Sequence, residues 1–117
     1  MATTKTSMRM ETRLKAWTQN DELIVEVITT NGDVFTAKLK NGPLFRTKNA
    51  LVASDPKYGC WVFTEYGAIF SVSPDIKQVR EVGEKILFYT PDEWTFTYDM
   101  RTGKMIEVSH KGKTLIL

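Results

Sequence analysis

The alternation of apolar and polar residues between turn residues is the feature that most constrains the fold of this chain. It is clearest in the segment 22–30, where Leu23, Val25 and Val27 fall on one face, the spacing of a half-buried β-strand. Asn31-Gly32 follows, a dipeptide that readily takes the two positive-φ conformations of a tight hairpin. Because the next segment alternates again, we predict an antiparallel hairpin with one apolar and one solvated face.

The same pattern continues to the C-terminus, interrupted by Gly, Pro, Asn and Asp. It predicts nine strands, at 22–30, 33–40, 50–53, 60–65, 68–73, 86–90, 94–100, 105–110 and 114–117. Short strands at this spacing are typical of small antiparallel barrels and sandwiches. We therefore predict a mainly β fold, a single small antiparallel barrel or sandwich of about seven to nine short strands with one or two short helices.

The two predicted helices depend on the weaker patterns in the chain. Residues 8–18 place Leu14 and Trp17 on one helical face, although the same segment would suit a strand that enters a hairpin at 19–21. Residues 73–83 open on Ser-Pro, which is typical of a helix start, and end on a glycine, which is typical of a helix stop. We expect helices at both places.

Length and composition indicate one globular domain. The chain has 117 residues, of which 42% are hydrophobic and 26% charged, and its net charge is only +2, values that argue against disorder and against a histone-like or polyacidic protein. We expect a disordered tail at 1–7 and a single β-rich domain at 8–117. The sequence contains no long apolar run, so we expect no membrane segment. Its lone cysteine, Cys60, suits a reducing compartment, and we predict a cytoplasmic location.

Three glycines repeat along the chain at nearly equal intervals. Gly32, Gly67 and Gly103 are separated by 35 and 36 residues, and Phe35 and Phe70 each lie three residues beyond a glycine. Such a period would suit a propeller-like array, and three sheets of that kind would need an oligomer or a barrel to close. A plain meander of hairpins also produces similar spacings by coincidence, so both interpretations stay open.

Candidate catalytic residues are few. The chain has one histidine, His110, and one cysteine, Cys60, which is too few for a structural zinc site. Cys60 lies in an apolar strand, where a buried small hydrophobe is the simpler interpretation. Glu65 and Asp99 lie near turns and leave open an enzyme that uses carboxylates alone. We predict that the protein is not an enzyme and that it carries no cofactor and no metal.

One stretch of the chain is basic. Residues 34–54 contain no acid, and the candidate binding residues there are Lys38, Lys40, Phe45, Arg46 and Lys48. Cations along a backbone path with an aromatic ring for base stacking are typical of proteins that bind single-stranded nucleic acid. Lysines also protect an edge strand from pairing with another chain, and that alternative stays open.

The order of elements also resembles that of Sm-like RNA-binding proteins. The resemblance rests on a helix followed by five short strands over residues 8–73, with Asn31-Gly32 opening the second strand, Leu39 eight residues later and Asn49 leading into the next apolar strand. Ala37 stands where that family usually has a glycine in the bent second strand. The resemblance is an analogy of fold, and it implies a small barrel that binds RNA.

Protein contact is the leading functional expectation. Three tyrosines border predicted turns, where an amphipathic ring suits an interface; they are Tyr58, Tyr66 and Tyr98. The strand at 60–65 is apolar on both faces, so it needs a second layer or a partner to cover it. We expect a non-catalytic β-rich interaction module that acts through protein–protein contacts as an adaptor, an inhibitor or an oligomer subunit. Its partner would be another protein, including a second copy in a homo-oligomer, and RNA or single-stranded DNA is the alternative.

Overall fold

The computed structural model describes residues 13–40, 44–55, 59–72 and 75–117, and in these ranges the chain forms mainly β-strands. Twelve strands lie in these ranges. They are β1 (Leu14–Gln19), β2 (Glu22–Ile28), β3 (Val34–Lys40), β4 (Leu44–Arg46), β5 (Ala50–Asp55), β6 (Gly59–Thr64), β7 (Ile69–Val72), β8 (Gln78–Val82), β9 (Lys85–Tyr89), β10 (Trp94–Asp99), β11 (Met105–His110) and β12 (Lys113–Ile116).

The strands form three separate antiparallel sheets, each a meander of chain neighbours. Sheet 1 has the order β1-β2-β3, sheet 2 the order β4-β5-β6-β7, and sheet 3 the order β8-β9-β10-β11-β12. The prediction of a mainly β, antiparallel fold is confirmed. The sheets do not close into a barrel, and the strands of the described ranges outnumber the seven to nine expected.

Sheet 2 is buried on both faces, and this layering explains the strand that is apolar on both sides. One core lies between sheets 1 and 2, where Val25 and Val27 pack with Leu51 and Phe63. A second core lies between sheets 2 and 3, and its buried members are Ala50, Val52, Cys60, Val62, Ala68, Phe70, Ile86, Phe88, Tyr98 and Met100. Neighbouring residues of β6 therefore alternate between the two cores, as the period of a strand requires.

The prediction of a helix within residues 8–18 is wrong for its described part, where β1 begins at Leu14. Leu14 is buried against sheet 2, whereas Trp17 lies on the opposite, exposed face. The hairpin alternative is the one that forms, because Asn20 and Asp21 both take positive φ, 54° and 63°, and so close a tight turn into β2. These two residue types tolerate that conformation better than most.

The prediction of a helix at 73–83 is also wrong for its described part. Residues 78–82 form β8, which pairs with β9 from Val82 opposite Lys85. Val82 pairs with Lys85, so Gly83 and Glu84 form a two-residue hairpin turn instead of a helix end, and the positive φ of Gly83, 61°, suits that turn. The β-branched Val79 packs against the core between sheets 2 and 3, and β-branched residues favour strands. The Ser-Pro start lies outside the described residues.

The remaining strand predictions agree with the structure to within a few residues. The sequence missed β4, a three-residue strand that lay in a stretch expected to be irregular. The predicted tail at 1–7 lies outside the described residues. In the part of the chain that the structure covers, no helix has the length and apolar character that a membrane span requires.

The repeating glycines close equivalent turns in successive sheets. Gly32 joins β2 to β3, Gly67 joins β6 to β7 and Gly103 joins β10 to β11, and all three have positive φ. A Cβ atom on Gly67 would lie 2.8 Å from the Ile28 carbonyl oxygen, and one on Gly103 would lie 3.0 Å from the Phe70 ring. Each later turn therefore rests on the preceding sheet, and the spacing of 35 to 36 residues matches the period of the stack.

Both outer faces of the stack carry polar residues. The outer face of sheet 1 includes Lys15, Glu26 and Lys38, which occupy the strand positions opposite in parity to its core residues. The outer face of sheet 3 includes Thr95 and Glu107 by the same alternation. Polar residues at these positions suit contact with water at the two ends of a stack of repeated units.

Candidate functional site

An apolar groove runs along the edge of sheet 1 that β3 forms, and we call it the edge groove. It has a volume of about 250 Å³ and opens to solvent. One wall comes from β3 and the other from β6 and β7; the lining residues are Phe35, Ala37, Lys38, Leu39, Trp61, Phe63 and Ile69. The floor is the core between sheets 1 and 2, because Leu39 and Phe63 belong to it.

The groove exists because an aromatic residue of β3 is not covered. Phe35 and Phe70 hold equivalent places, three residues beyond the glycine of their turns. Phe70 is only 9% exposed and stacks on Tyr98 of the next sheet with ring centroids 5.0 Å apart. Phe35 is 44% exposed. The Phe70 ring is therefore covered at the interface between sheets 2 and 3, whereas the equivalent Phe35 ring stays open to solvent at the interface between sheets 1 and 2.

The backbone edge beside the groove is also open. The Thr29 amide donates to the Asp33 carbonyl at 2.7 Å, which fixes the alternation of bonded pairs along β2 and β3. By that alternation Phe35 and Ala37 bond to β2, whereas the N–H and C=O groups of Thr36 point away from the sheet. No strand of the described ranges pairs with this edge of β3.

The five residues predicted to bind nucleic acid do not lie on one surface, because they belong to sheets 1 and 2 and face different directions. Lys38 and Lys40 lie on the outer face of sheet 1, where both are exposed. Phe45 packs into the core between sheets 2 and 3, so its ring is not a free stacking surface. Arg46 is exposed on the other face of β4, and Lys48 lies in the following loop.

Lys48 has an acidic surrounding. It lines a polar recess together with Glu81 and Glu84. The Glu81 carboxylate accepts hydrogen bonds from the Asn49 amide at 2.9 Å, from the Asn49 side chain at 2.7 Å and from the Thr47 hydroxyl. These bonds tie β8 of sheet 3 to the loop of sheet 2, which is a structural role.

Trp17 is an aromatic residue that the sequence did not single out as a site. It is 42% exposed on the outer face of sheet 1 and lies in one cross-strand row with Ile24 and Lys38. Its neighbour on that face is Lys15. The signal that could have found it is the alternation within β1, which places Trp17 opposite in parity to the buried Leu14.

The three tyrosines have different positions. Tyr58 lies outside the described residues. Tyr66 is half-buried between two polar recesses, and its pKa is raised by burial and then by the nearby carboxylates of Glu84 and Glu81. Tyr98 is a core residue that stacks on Phe70, and its pKa is raised by burial. Of the two tyrosines that the structure describes, Tyr66 is the one at the surface.

The few candidate catalytic side chains are buried or packed against neighbouring groups. Cys60 is buried between sheets 2 and 3, and burial raises the pKa of its thiol to about 11, which disfavours the reactive thiolate. His110 stacks on Trp94 with ring centroids 4.1 Å apart, and its Nε2 lies 3.2 Å from the Asp92 carbonyl oxygen. Glu65 is buried. Among the described residues, no cluster of three or more His, Cys, Asp or Glu side chains has the arrangement of a metal site.

Comparison with known proteins adds no functional information. No protein-family model matches the chain, and no curated protein matches it significantly. The chain is similar to the crystal structure of the computationally designed Ika8 protein, with a TM-score of 0.45 and 11% sequence identity. The match covers 84% of this chain and 36% of the designed one, so the chain spans about a third of that protein's length.

Proposed function

We propose that the protein is a non-catalytic interaction module that acts through protein–protein contacts, as an adaptor, an inhibitor or an oligomer subunit, and that the edge groove is its contact surface. The observation that carries the proposal is the exposure of Phe35 beside an apolar groove. A side chain from a partner that fills the groove would gain about 25 cal/mol for each Å² of apolar surface removed from water.

A further feature supports contact at this place. Trp61 in the opposite wall is half-buried, and Trp is among the residues that contribute most to the binding energy of interfaces. Aromatic residues around an open apolar recess are typical of an interface centre.

The test compares two neighbouring substitutions on opposite faces of β3. Phe35→Ser removes a ring from the edge groove, whereas Val34→Ser makes a similar polar change on the outer face. Tagged wild-type and variant proteins are used for affinity capture from the native host with and without nuclease. We expect a nuclease-resistant protein partner that Phe35→Ser loses and Val34→Ser keeps. Equal capture by both variants would contradict a contact at the edge groove.

Binding of single-stranded nucleic acid is the second candidate, and the position of Trp17 favours it. An exposed ring on one face with Lys15, Lys38 and Lys40 provides both a stacking surface and positive charge. Glu22 and Glu26 on the same face reduce that charge.

A salt titration with a fluorescent oligonucleotide tests the second candidate. Binding should weaken steeply as salt rises and should be lost in a Lys38→Glu/Lys40→Glu variant. A Trp17→Leu variant should weaken binding about 5- to 150-fold by removing the stacking ring, which corresponds to a loss of about 1 to 3 kcal/mol. No binding at low salt would exclude this function.

A further inference from the structure

We infer that the edge groove takes one extended segment of a partner protein, which adds to β3 as a fourth strand of sheet 1 and which alternates apolar with acidic residues. The inference rests on the proposed function and specifies the partner's chemistry. It combines three features of β3, namely a free backbone edge, an apolar face toward the groove and two lysines, Lys38 and Lys40, on the outer face. Addition of a strand to an exposed sheet edge is a common mode of peptide recognition.

The backbone supplies the first feature. The N–H and C=O groups of Val34, Thr36 and Lys38 point away from β2, because Phe35 and Ala37 make the bonds to that strand. An incoming antiparallel strand would form its bonded pairs with the three outward-pointing residues. The main-chain bonds would provide affinity for any extended segment, whatever its sequence.

The apolar groove face determines the chemistry of every second residue in the partner segment. Side chains of the incoming strand that lie opposite Phe35 and Ala37 would point into the edge groove. These would be the closer, non-hydrogen-bonded pairs of the new ladder. Ala37 leaves room for a branched apolar side chain, which would contact Trp61 and Ile69 in the opposite wall. The partner therefore needs apolar residues at every second position.

The outer face determines the residues between them. A partner side chain opposite Lys38 would lie on the outer face of sheet 1, with Lys40 two residues along the same strand. A carboxylate at that position forms a cross-strand pair of opposite charge. The exposed β12 of a second copy fits less well, because it carries a lysine of its own, Lys113, and no acidic residue. The basic edge thus selects an acidic strand and disfavours pairing between copies.

The binding experiment uses a soluble peptide of seven residues, the length of β3, in which glutamate alternates with valine. Calorimetry compares it with a peptide of the same composition whose glutamates and valines are segregated, and with a peptide that has lysine for glutamate. We expect binding of the alternating acidic peptide and at least tenfold weaker binding of both controls. Equal affinity for the segregated peptide would overturn the inference.

Two N-methylated forms of the alternating peptide test strand pairing directly. Methyl groups on the glutamate nitrogens would block the amides that face β3, so binding should be lost. Methyl groups on the valine nitrogens would leave those amides free, and binding should be kept. If both methylated peptides bind equally well, the partner occupies the groove without adding a strand, and the inference fails while the edge groove remains a contact site.

Variants of the protein provide the matching test. Thr36→Pro removes an amide that points to the free edge, a position where proline is tolerated, and should weaken peptide binding tenfold or more. Thr36→Val keeps the amide and should bind as the wild type does. Lys38→Glu should weaken binding of the acidic peptide about three- to tenfold and favour the lysine peptide. Unchanged affinities in the Thr36→Pro and Lys38→Glu variants would contradict strand addition at β3. Failure of the proposed function would instead appear as unchanged capture by Phe35→Ser.

Discussion

Replacement of Gly67 by alanine should destabilise the protein far more than the same replacement of Gly32. Both glycines have a φ of 89° and both occupy the turn of a hairpin. A Cβ atom on Gly67 would lie 2.8 Å from the Ile28 carbonyl oxygen and 2.9 Å from the Thr30 nitrogen, whereas one on Gly32 would have nothing within 4 Å. The pair therefore separates the cost of the backbone conformation from the cost of the close approach between turns.

The expected magnitudes follow from these two terms. A left-handed conformation costs a residue with a Cβ atom about 1 to 2 kcal/mol, and this is the whole effect expected for Gly32→Ala. At Gly67 the contact is with backbone atoms of the neighbouring turn, so the two turns must separate, at a further cost of about 1 to 3 kcal/mol.

Urea unfolding, followed by far-UV circular dichroism, measures both free energies of unfolding under identical conditions. We expect Gly67→Ala to lose about 2 to 5 kcal/mol in total. Equal losses in the two variants would show that the turn of sheet 2 does not rest on the turn of sheet 1, and would refute the stacking of turns.

Three further substitutions test the contacts within and between the sheets. Thr64→Val should lower the free energy of unfolding in urea by about 1 to 3 kcal/mol. The buried Thr64 hydroxyl donates to the Met100 carbonyl at 3.0 Å and accepts from the Ala68 amide at 3.1 Å, and valine loses both bonds. Thr64→Ser keeps both bonds and should lower stability clearly less. Glu81→Gln should lower the free energy of unfolding by about 1 to 3 kcal/mol, because it removes the charge of a carboxylate that accepts three hydrogen bonds. Glu84→Gln removes an exposed ion pair with Arg101 and should change stability by less than about 0.5 kcal/mol. The Cys60 thiol should react slowly with a disulfide reagent at pH 8 and quickly after unfolding, and equal rates would contradict its burial. Burial raises the pKa of the Cys60 thiol from its ordinary value of 9.0 to about 11. The stability that the buried neutral thiol contributes is therefore present below pH 9 and is lost as pH rises toward 11, and Cys60→Ala should remove this part of the pH dependence.

The alternation of side chains was enough to predict most strands, because each of those strands has at least one face in a core. The segment around Val25 and Val27 is the clearest example, since both residues are fully buried between sheets 1 and 2. The two helix predictions failed where an apolar spacing fitted two periods. In β8, Val79 packs inward while Val82 lies exposed before the turn. The two valines therefore lie on opposite faces of a strand, and their spacing of three residues does not mark one face of a helix.

The candidate site could be predicted only in part. The segment containing Lys38 and Lys40 was recognised from charge alone, and it does lie along the strand that borders the edge groove. The opposite wall comes from β6 and β7, which are distant in sequence, so no local pattern could indicate it. The exposure of Phe35 was equally hidden, because Phe70 has the same place after its glycine and is buried. The difference between them arises from what the next sheet supplies, a long-range property of the fold.

Amide hydrogen exchange along β3 tests strand addition at the edge groove most directly. In the free protein the amides of Thr36 and Lys38 should exchange quickly, whereas those of Phe35 and Ala37, which bond to β2, should be protected. Saturation with the alternating acidic peptide should slow exchange at Thr36 and Lys38 by at least about tenfold, as expected for newly bonded amides. Fast exchange at both residues in the presence of bound peptide, or protection of both already in the free protein, would contradict an open edge that receives a strand.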